Sequence, residues 1–442
     1  MLKFDRKKQI VKGDKKVIRA WIMYDWSNSV FQLTILSIVF PIYFTKITTT
    51  GDSSIVSFFG IDIINSVLYS WSIAVAYLIV AFFSPFFSAI ADYTGRRRAF
   101  MKFFTFMGAT ACGLLFFFDK TNINWGVIYF IIATIGYGGS IVFYNSFLPV
   151  IAESKDQDRI SANGYAMGYL GAVLLLLFNL AMIKKPELFG ITDKLLPAKI
   201  SFVTVFVWWV SFSQITFFRL PKYTFGNRTK GGNVLLKGYG ELRKVFAQIR
   251  KMPLLSIYLV GYFFMTMGLL TVMFMAAIYG RKELKLGDEI LVPTILLIQL
   301  LGMVGAWVFV KLSKWFGNIR SLIFAIISWI LICFGAFFIT DATGFIIVAI
   351  FVGLIMGGTQ ALARSTYSKM LPETRDHTSF FSFFDVMEKT ATVAGTFSFG
   401  IIEAITGSMR YSVLAIVSFF LISLVFMLLL NRKQGILKQI PQ

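Results

Sequence analysis

Several polar side chains stand inside stretches that are otherwise apolar, and their spacing limits the chemistry they can do. Asp25, Asn28 with Ser29, and Gln32 fall three to four residues apart, so on a helix they make one polar stripe. Asp385, Glu388 and Lys389 repeat the arrangement late in the chain. There Asp385 and Lys389 have the acid-first i,i+4 order that lets the two charges neutralise each other. Arg364 and Asn145 stand near the ends of two further apolar stretches. A charge in a hydrocarbon core costs about 2.5–3.5 kcal/mol on insertion scales, so such groups face a water-filled path. Two roles follow from this. Asp25, Asn28, Gln32, Asn145 and Arg364 read as a site for a solute or a proton, with Asp25 alternatively a gate residue. Asp385, Glu388 and Lys389 read as a gate of ion pairs.

The elements that must position these groups are twelve long apolar stretches. They cover 21–45, 66–90, 100–118, 125–151, 161–183 and 200–218, then 255–279, 290–310, 321–340, 343–363, 380–404 and 411–430. A helix needs about 20 residues to cross a bilayer core, and without water there every backbone group must bond within its own helix. The fold class is therefore all-α integral membrane, twelve transmembrane helices in two six-helix repeats. The halves are 1–218 and 254–442, joined by a basic linker, 219–253, whose only acid is Glu241. Gly226, Gly231 and Gly232 mark its loop, and Leu235–Arg250 has the pattern of a basic amphipathic helix lying on the membrane surface.

Composition agrees, with 57% hydrophobic residues, a mean hydropathy of +0.73 and a net charge of +21. Of 43 Lys and Arg, 32 fall on the face that holds both termini, 10 on the other, and Lys389 lies within a span. The positive-inside rule makes the first face cytosolic. The expected location is the plasma (inner) membrane, with both termini cytoplasmic and the basic face touching anionic lipid. A nucleic-acid partner is not expected. The first stretch is too long for a signal-peptide core and reads as a retained helix. Cys112 and Cys333 fall within spans, so no disulfide framework is expected. His377, the single histidine, reads as solvent-exposed in a loop. No phosphate-binding GxxxxGK[ST] segment occurs, nor any His, Cys or carboxylate cluster with metal or nucleophile spacing. An enzyme, a metal and a cofactor are thus not expected.

The loop after the second stretch, Asp92-Tyr-Thr-Gly95-Arg96-Arg97-Arg98, lets Asp92 pair with Arg96 or Arg97 across a tight turn at Gly95. It resembles the cytosolic loop motif of the major facilitator superfamily, with Ser88 where that motif begins with Gly. The resemblance implies a conformational latch rather than a substrate site. About 222 residues on, Lys314-Trp-Phe-Gly317 echoes the loop with Lys in place of the acid, and this copy reads as degenerate. Tyr144-Asn-Ser-Phe-Leu-Pro149 and Tyr367-Ser-Lys-Met-Leu-Pro372 repeat at nearly the same spacing, which supports a duplicated unit.

A closer resemblance covers nearly the whole chain. Arg19-Ala-Trp-Ile-Met-Tyr-Asp25-Trp-Ser-Asn28-Ser29, Phe143–Pro149, Gly164-Tyr-Ala-Met-Gly-Tyr-Leu-Gly171, Trp208-Trp209 and Gly357-Gly-Thr-Gln360-Ala-Leu-Ala-Arg364-Ser365 are similar to the autophagy-linked vacuole effluxer family, a branch of the major facilitators. That resemblance adds Gln360 to the candidate site. It implies alternating access and, from the fungal members, amino-acid export from the vacuole. One departure is Met267, where the family tends to carry an acid in the seventh helix.

The sequence thus reads as a monomeric secondary transporter of a small polar solute, amino-acid-like by resemblance, with protons as a second partner. The alternatives are an efflux carrier for drugs or amphipathic compounds and, further off, a non-transporting sensor. Substrate identity, direction and coupling ion stay open.

Overall fold

The structure, a computed structural model, describes residues 12–49, 53–222 and 234–439. The long helices are α1 (Lys15–Thr48), α2 (Asn65–Thr94), α3 (Arg97–Leu114), α4 (Ile123–Asn145), α5 (Gln157–Lys184) and α6 (Leu196–Arg219). After the amphipathic α7 (Val234–Arg250) come α8 (Pro253–Lys282), α9 (Asp288–Phe316), α10 (Asn318–Phe338), α11 (Ala342–Met370), α12 (His377–Thr406) and α13 (Met409–Gln439). The order matches the twelve apolar stretches. Eleven of these helices are long and apolar enough to cross a membrane. Of the remaining two, α7 is amphipathic, and α12 has the length but carries Asp385, Glu388 and Lys389 in its apolar run. The chain is a multi-pass integral membrane protein.

Local chemistry fixes the helix ends. Asp14 starts α1 by accepting from Lys16 N at 2.8 Å, and Asp341 starts α11 by accepting from Gly344 N at 2.8 Å. Within α1, Phe31–Ile38 forms a π-helical segment, in which Val39 N donates back to Thr34 O. The wider turn re-aims the side chains around Gln32, and such segments gather at functional sites. Between α1 and α2 lies a hairpin that the sequence pattern did not reveal, Ile55–Phe58 paired with Ile61–Ile64. It turns on Phe59 and Gly60, both at positive φ.

The two largest apolar cores hold most of the bundle. One stacks Phe40 on Phe130 at 4.2 Å, within α1–α6. The other stacks Trp329 on Phe420 at 5.7 Å, and apart from Tyr169 all of its buried residues come from α7–α13 and their loops. Residues such as Phe82 and Phe218 point outward, as a lipid-facing surface requires. The α7 helix forms where expected, but it does not rest only on a membrane surface. Val245 and Ile249 are buried in the bundle, and Phe246 stacks on Phe383 of α12 at 5.8 Å. The linker glycines 226, 231 and 232 lie outside the described residues.

Candidate functional site

A cavity of about 130 Å³ opens between the first six long helices and the last six. Asp25, Asn28, Ser29 and Gln32 of α1 all line it, as their spacing predicts. Facing them are Tyr77, Tyr137, Asn145, Tyr165 and Tyr169 from α2, α4 and α5, and Tyr262, Gln299, Gln360, Arg364, Glu388 and Lys389 from α8, α9, α11 and α12. Gln32 accepts from Tyr137 Oη at 2.9 Å and Gln360 from Tyr169 Oη at 2.6 Å. Each amide oxygen is therefore held by one phenol. Met267 does not line the cavity; it packs against Gly395 of α12.

The floor is an ion pair across the two sets of helices. Asp25 Oδ2 accepts from Arg364 Nη1 and Nη2, each at 3.2 Å, and from Tyr144 Oη at 2.7 Å. Arg364 also donates to Ser161 Oγ, Ser161 O and Asn145 Oδ1, at 2.9, 2.8 and 3.3 Å. Its guanidinium lies over the rings of Tyr165 and Trp21, 4.2 and 4.9 Å from their centroids. With Arg364 3% and Asp25 5% exposed, a pair this buried repays its desolvation only with such complete partnering. Gly164 makes the approach possible. A Cβ there would lie 2.3 Å from Asp25 Oδ2 and 2.9 Å from Arg364 Nη2. Gly357 lets α11 and α9 touch in the same way, because its Cβ would lie 1.9 Å from Gly302 O.

Nearer the face that holds both chain ends, Asp92 closes the structure a second time. It accepts from Arg97 Nε at 2.8 Å, as expected, and reaches across to the start of α12. There Thr378 N at 3.3 Å, Ser379 N at 2.7 Å and Ser379 Oγ at 2.8 Å donate to it. Asp376, the residue before α12, makes no capping bond of its own, so Asp92 supplies the helix cap from the other half of the chain. Arg97 also donates to Arg375 O. Gly95 turns the loop at φ 67°. Arg96 departs from expectation. It is exposed and precedes α3, while Arg97 alone takes the acid.

The second copy of this loop is not degenerate. Lys314 is exposed, but its neighbours Ser313 and Asn318 donate to Asp158 of α5 at 3.1 and 2.8 Å, and Lys369 Nζ lies 2.6 Å from the same carboxylate. The acid has moved to the opposite partner. Sequence reasoning missed Asp158, whose only signal was its place at the start of α5, about 222 residues before the start of α12. Tyr144 and Ser161 were missed as well, although Tyr144 lay in a quoted motif.

Two further expectations change. His377 is half-buried rather than solvent-exposed. It stands ahead of the apolar run of α12, where burial first, then Arg97 and Lys12, push its pKa down to about 3. Glu388 and Lys389 line the cavity, but Lys389 bonds only within α12, to Glu388 Oε1 at 2.6 Å and Asp385 Oδ1 at 3.2 Å. Among the described residues no ion pair joins this group to α1–α6; Lys389 meets them over the Tyr77 ring, 5.3 Å away.

Two sets of six helices, a polar cavity between them and charged closures on one side define a major facilitator transporter, with a small-molecule solute as its partner. The sequence profile of the family described as "Vacuole effluxer Atg22 like" matches residues 13–439, and the chain belongs to that family. An uncharacterised MFS-type transporter, YxiO of Bacillus subtilis, is 26% identical over 422 residues, covering 95% of each chain. Autophagy-related protein 22 of Kluyveromyces lactis is 23% identical, over 93% of this chain and 92% of its own. Among solved structures, the fucose transporter FucP in its outward conformation superposes with a TM-score of 0.67 at 12% identity, over 94% of this chain and 97% of its own. The human organic anion transporter MFSD10 gives 0.69 at 10%, over 94% and 100%.

Proposed function

We propose that this chain carries a small zwitterionic solute of the amino-acid type across the plasma membrane by alternating access. The observation that carries the reading is the cavity itself, which sets both signs of charge, phenols and amide groups around about 130 Å³. Drug-sized ligands occupy mostly apolar pockets of roughly 300–1,000 Å³, so the carrier of amphipathic compounds is the second reading. Lys389 faces a solute carboxylate and Glu388 an ammonium, while Asn28, Gln32, Asn145 and Gln360 orient the rest.

In this reading the halves, 1–218 and 254–442, rock about the cavity, and the 32-to-10 division of basic residues makes the closed face cytosolic. The conformation described is then outward-open. Asp25 and Arg364 act as the inner gate, because the acid is spent on Arg364 and Tyr144; Asp92, Gly95 and Arg97 act as the latch. The chain works as a monomer, with anionic lipid at the basic face and protons as the coupling ion. The description of the family as a vacuole effluxer favours export.

The test is counterflow in proteoliposomes. Amino acids loaded inside should accelerate uptake of labelled amino acid, and lipophilic cations should not. Exchange of lipophilic cations without any of amino acids would reject the reading.

A further inference from the structure

Formal charge does not balance around the cavity, whose lining includes Glu388 and Lys389, with Asp385 one turn away on the same helix. At the floor Asp25 and Arg364 cancel. On α12, however, Asp385 and Glu388 share the single ammonium of Lys389, and one negative charge remains. Asp385 is 3% and Lys389 4% exposed, so solvent does little to screen that surplus.

The hydrogen bonds show where the surplus rests. Glu388 has Lys389 on Oε1 and the hydroxyl of Tyr262 on Oε2, at 2.6 and 3.1 Å. Asp385 has Lys389 on Oδ1, but its Oδ2 accepts no hydrogen bond from any described residue. An unpartnered, buried carboxylate oxygen is costly when charged. Among the described residues, the titratable groups that face the triad from the neighbouring helices are Tyr77, Tyr137, Tyr165 and Tyr262. All are phenols, and none brings a positive charge.

We propose that Asp385, Glu388 and Lys389 form the proton-coupling site of the cycle, with Asp385 taking one proton on Oδ2. The inference rests on the transport reading above and assigns its ion site to α12 rather than to Asp25, whose Oδ2 already holds three donors. The proton comes from water in the open cavity and returns to water on the other side; only an O–H bond forms and breaks. Protonation of Asp385 loosens its hold on Lys389, which then meets a carboxylate of the solute. Loading of proton and solute is thereby linked.

Infrared titration of the purified protein tests this without any solute, so its result is separate from the fate of the transport reading. The carbonyl stretch of a protonated carboxyl should grow in as pH is lowered. Asp385→Asn should abolish it. Glu388→Gln leaves one acid on one ammonium, and it should move the midpoint down by about one pH unit or more. In proteoliposomes, the ratio of pH-gradient-driven uptake to counterflow exchange should fall at least about tenfold in Asp385→Asn. No such band in the wild type, or a band that survives Asp385→Asn, overturns the proposal. Should Asp385→Asn fail to fold, an unmoved midpoint in Glu388→Gln overturns it instead. Thermal stabilisation by simple alkylammonium ions, lost in Glu388→Gln and with no wild-type carboxyl band, would give the surplus charge to a cationic solute and also overturn it.

Discussion

The loops after α2 and after α9 sit at equivalent points of the repeat, yet they close the protein with opposite polarity. In the first the loop owns the acid: Asp92 caps α12, and its donors are mainly backbone N–H groups of the partner. In the second the loop owns the donors, Ser313 and Asn318, and the acid is Asp158 on the helix it meets. What the repeat keeps is the juxtaposition of an acid and its donors across the two halves, not the residue on either side. The surroundings differ too. Asp92 and Arg97 have side chains 0% and 2% exposed, against 11% and 22% for Asp158 and Lys369. The first closure should therefore be strong and weakly screened, the second weaker and sensitive to salt.

The largest effect should come from the floor that backs both closures. Arg364→Ala leaves Asp25 buried without its cation, and breaking a buried pair costs about 3–5 kcal/mol. Thermal melting should fall by many degrees, and cysteine probes placed on the side of the chain ends should become reactive. If Arg364→Ala keeps both melting and accessibility, the floor does not hold the closed form.

Next in size is a direct comparison of the two acids. Asp92→Ala removes the cap of α12 and leaves Arg97 unpaired, a loss of about 3 kcal/mol from charge-assisted hydrogen bonds. Asp158→Ala should cost about 1 kcal/mol, because Lys369 can turn to water. Distances between spin labels across the closed face would report the open fraction of each variant. Solute affinity should change only about several-fold in either, because both acids lie outside the cavity. Equal opening by the two variants would remove the asymmetry.

Smaller again is a pH effect confined to the first closure. In the closed form the pKa of His377 is held down to about 3, chiefly by burial and then by Arg97 and Lys12. A histidine released to water titrates near its ordinary value, about 6.5. Above that value both forms are neutral and pH has no effect. As pH falls from there toward 3, only the released histidine takes a proton, so closure weakens with acid. In His377→Gln that part of the pH dependence of the spin-label distances should vanish. A profile unchanged by the substitution would mean that acid acts elsewhere.

Much of this architecture was legible because hydrocarbon imposes it. Apolar length located every spanning helix, and helical spacing placed Asp25, Asn28 and Gln32 on the cavity. What was not legible was pairing between segments far apart in the chain. Nothing local distinguishes Arg97, which takes Asp92, from Arg96, which points to solvent; the turn at Gly95 decides it. Asp158 drew no reading from the sequence because its donors lie about 155–211 residues away. The i,i+4 spacing on α12 did show Asp385 pairing with Lys389, but the triad was read as a gate, and only the neighbouring helices show that, among the described residues, no ion pair joins it to α1–α6.

The smallest effect is also the sharpest test of the second closure. If Lys314 marked a decayed copy of the Asp92 motif, Lys314→Asp should rebuild a closure and favour the closed form. The structure gives the opposite expectation. Lys314 is exposed, the place of the acid is already taken by Asp158, and the available donors, Ser313 and Asn318, are committed to it. A new carboxylate beside them adds only a screened like-charge repulsion, about 0.5 kcal/mol or less toward opening. It should shrink further as salt is raised, because exposed charges more than a Debye length of about 8–10 Å apart hardly interact. The spin-label distances used for Asp92 and Asp158 suffice to measure it. A shift toward the closed form in Lys314→Asp, especially one that persists when Asp158 is replaced by Ala, would show that this loop can still act as the acid-bearing partner. The inverted polarity would then be an accident of the present sequence rather than how this half is held shut.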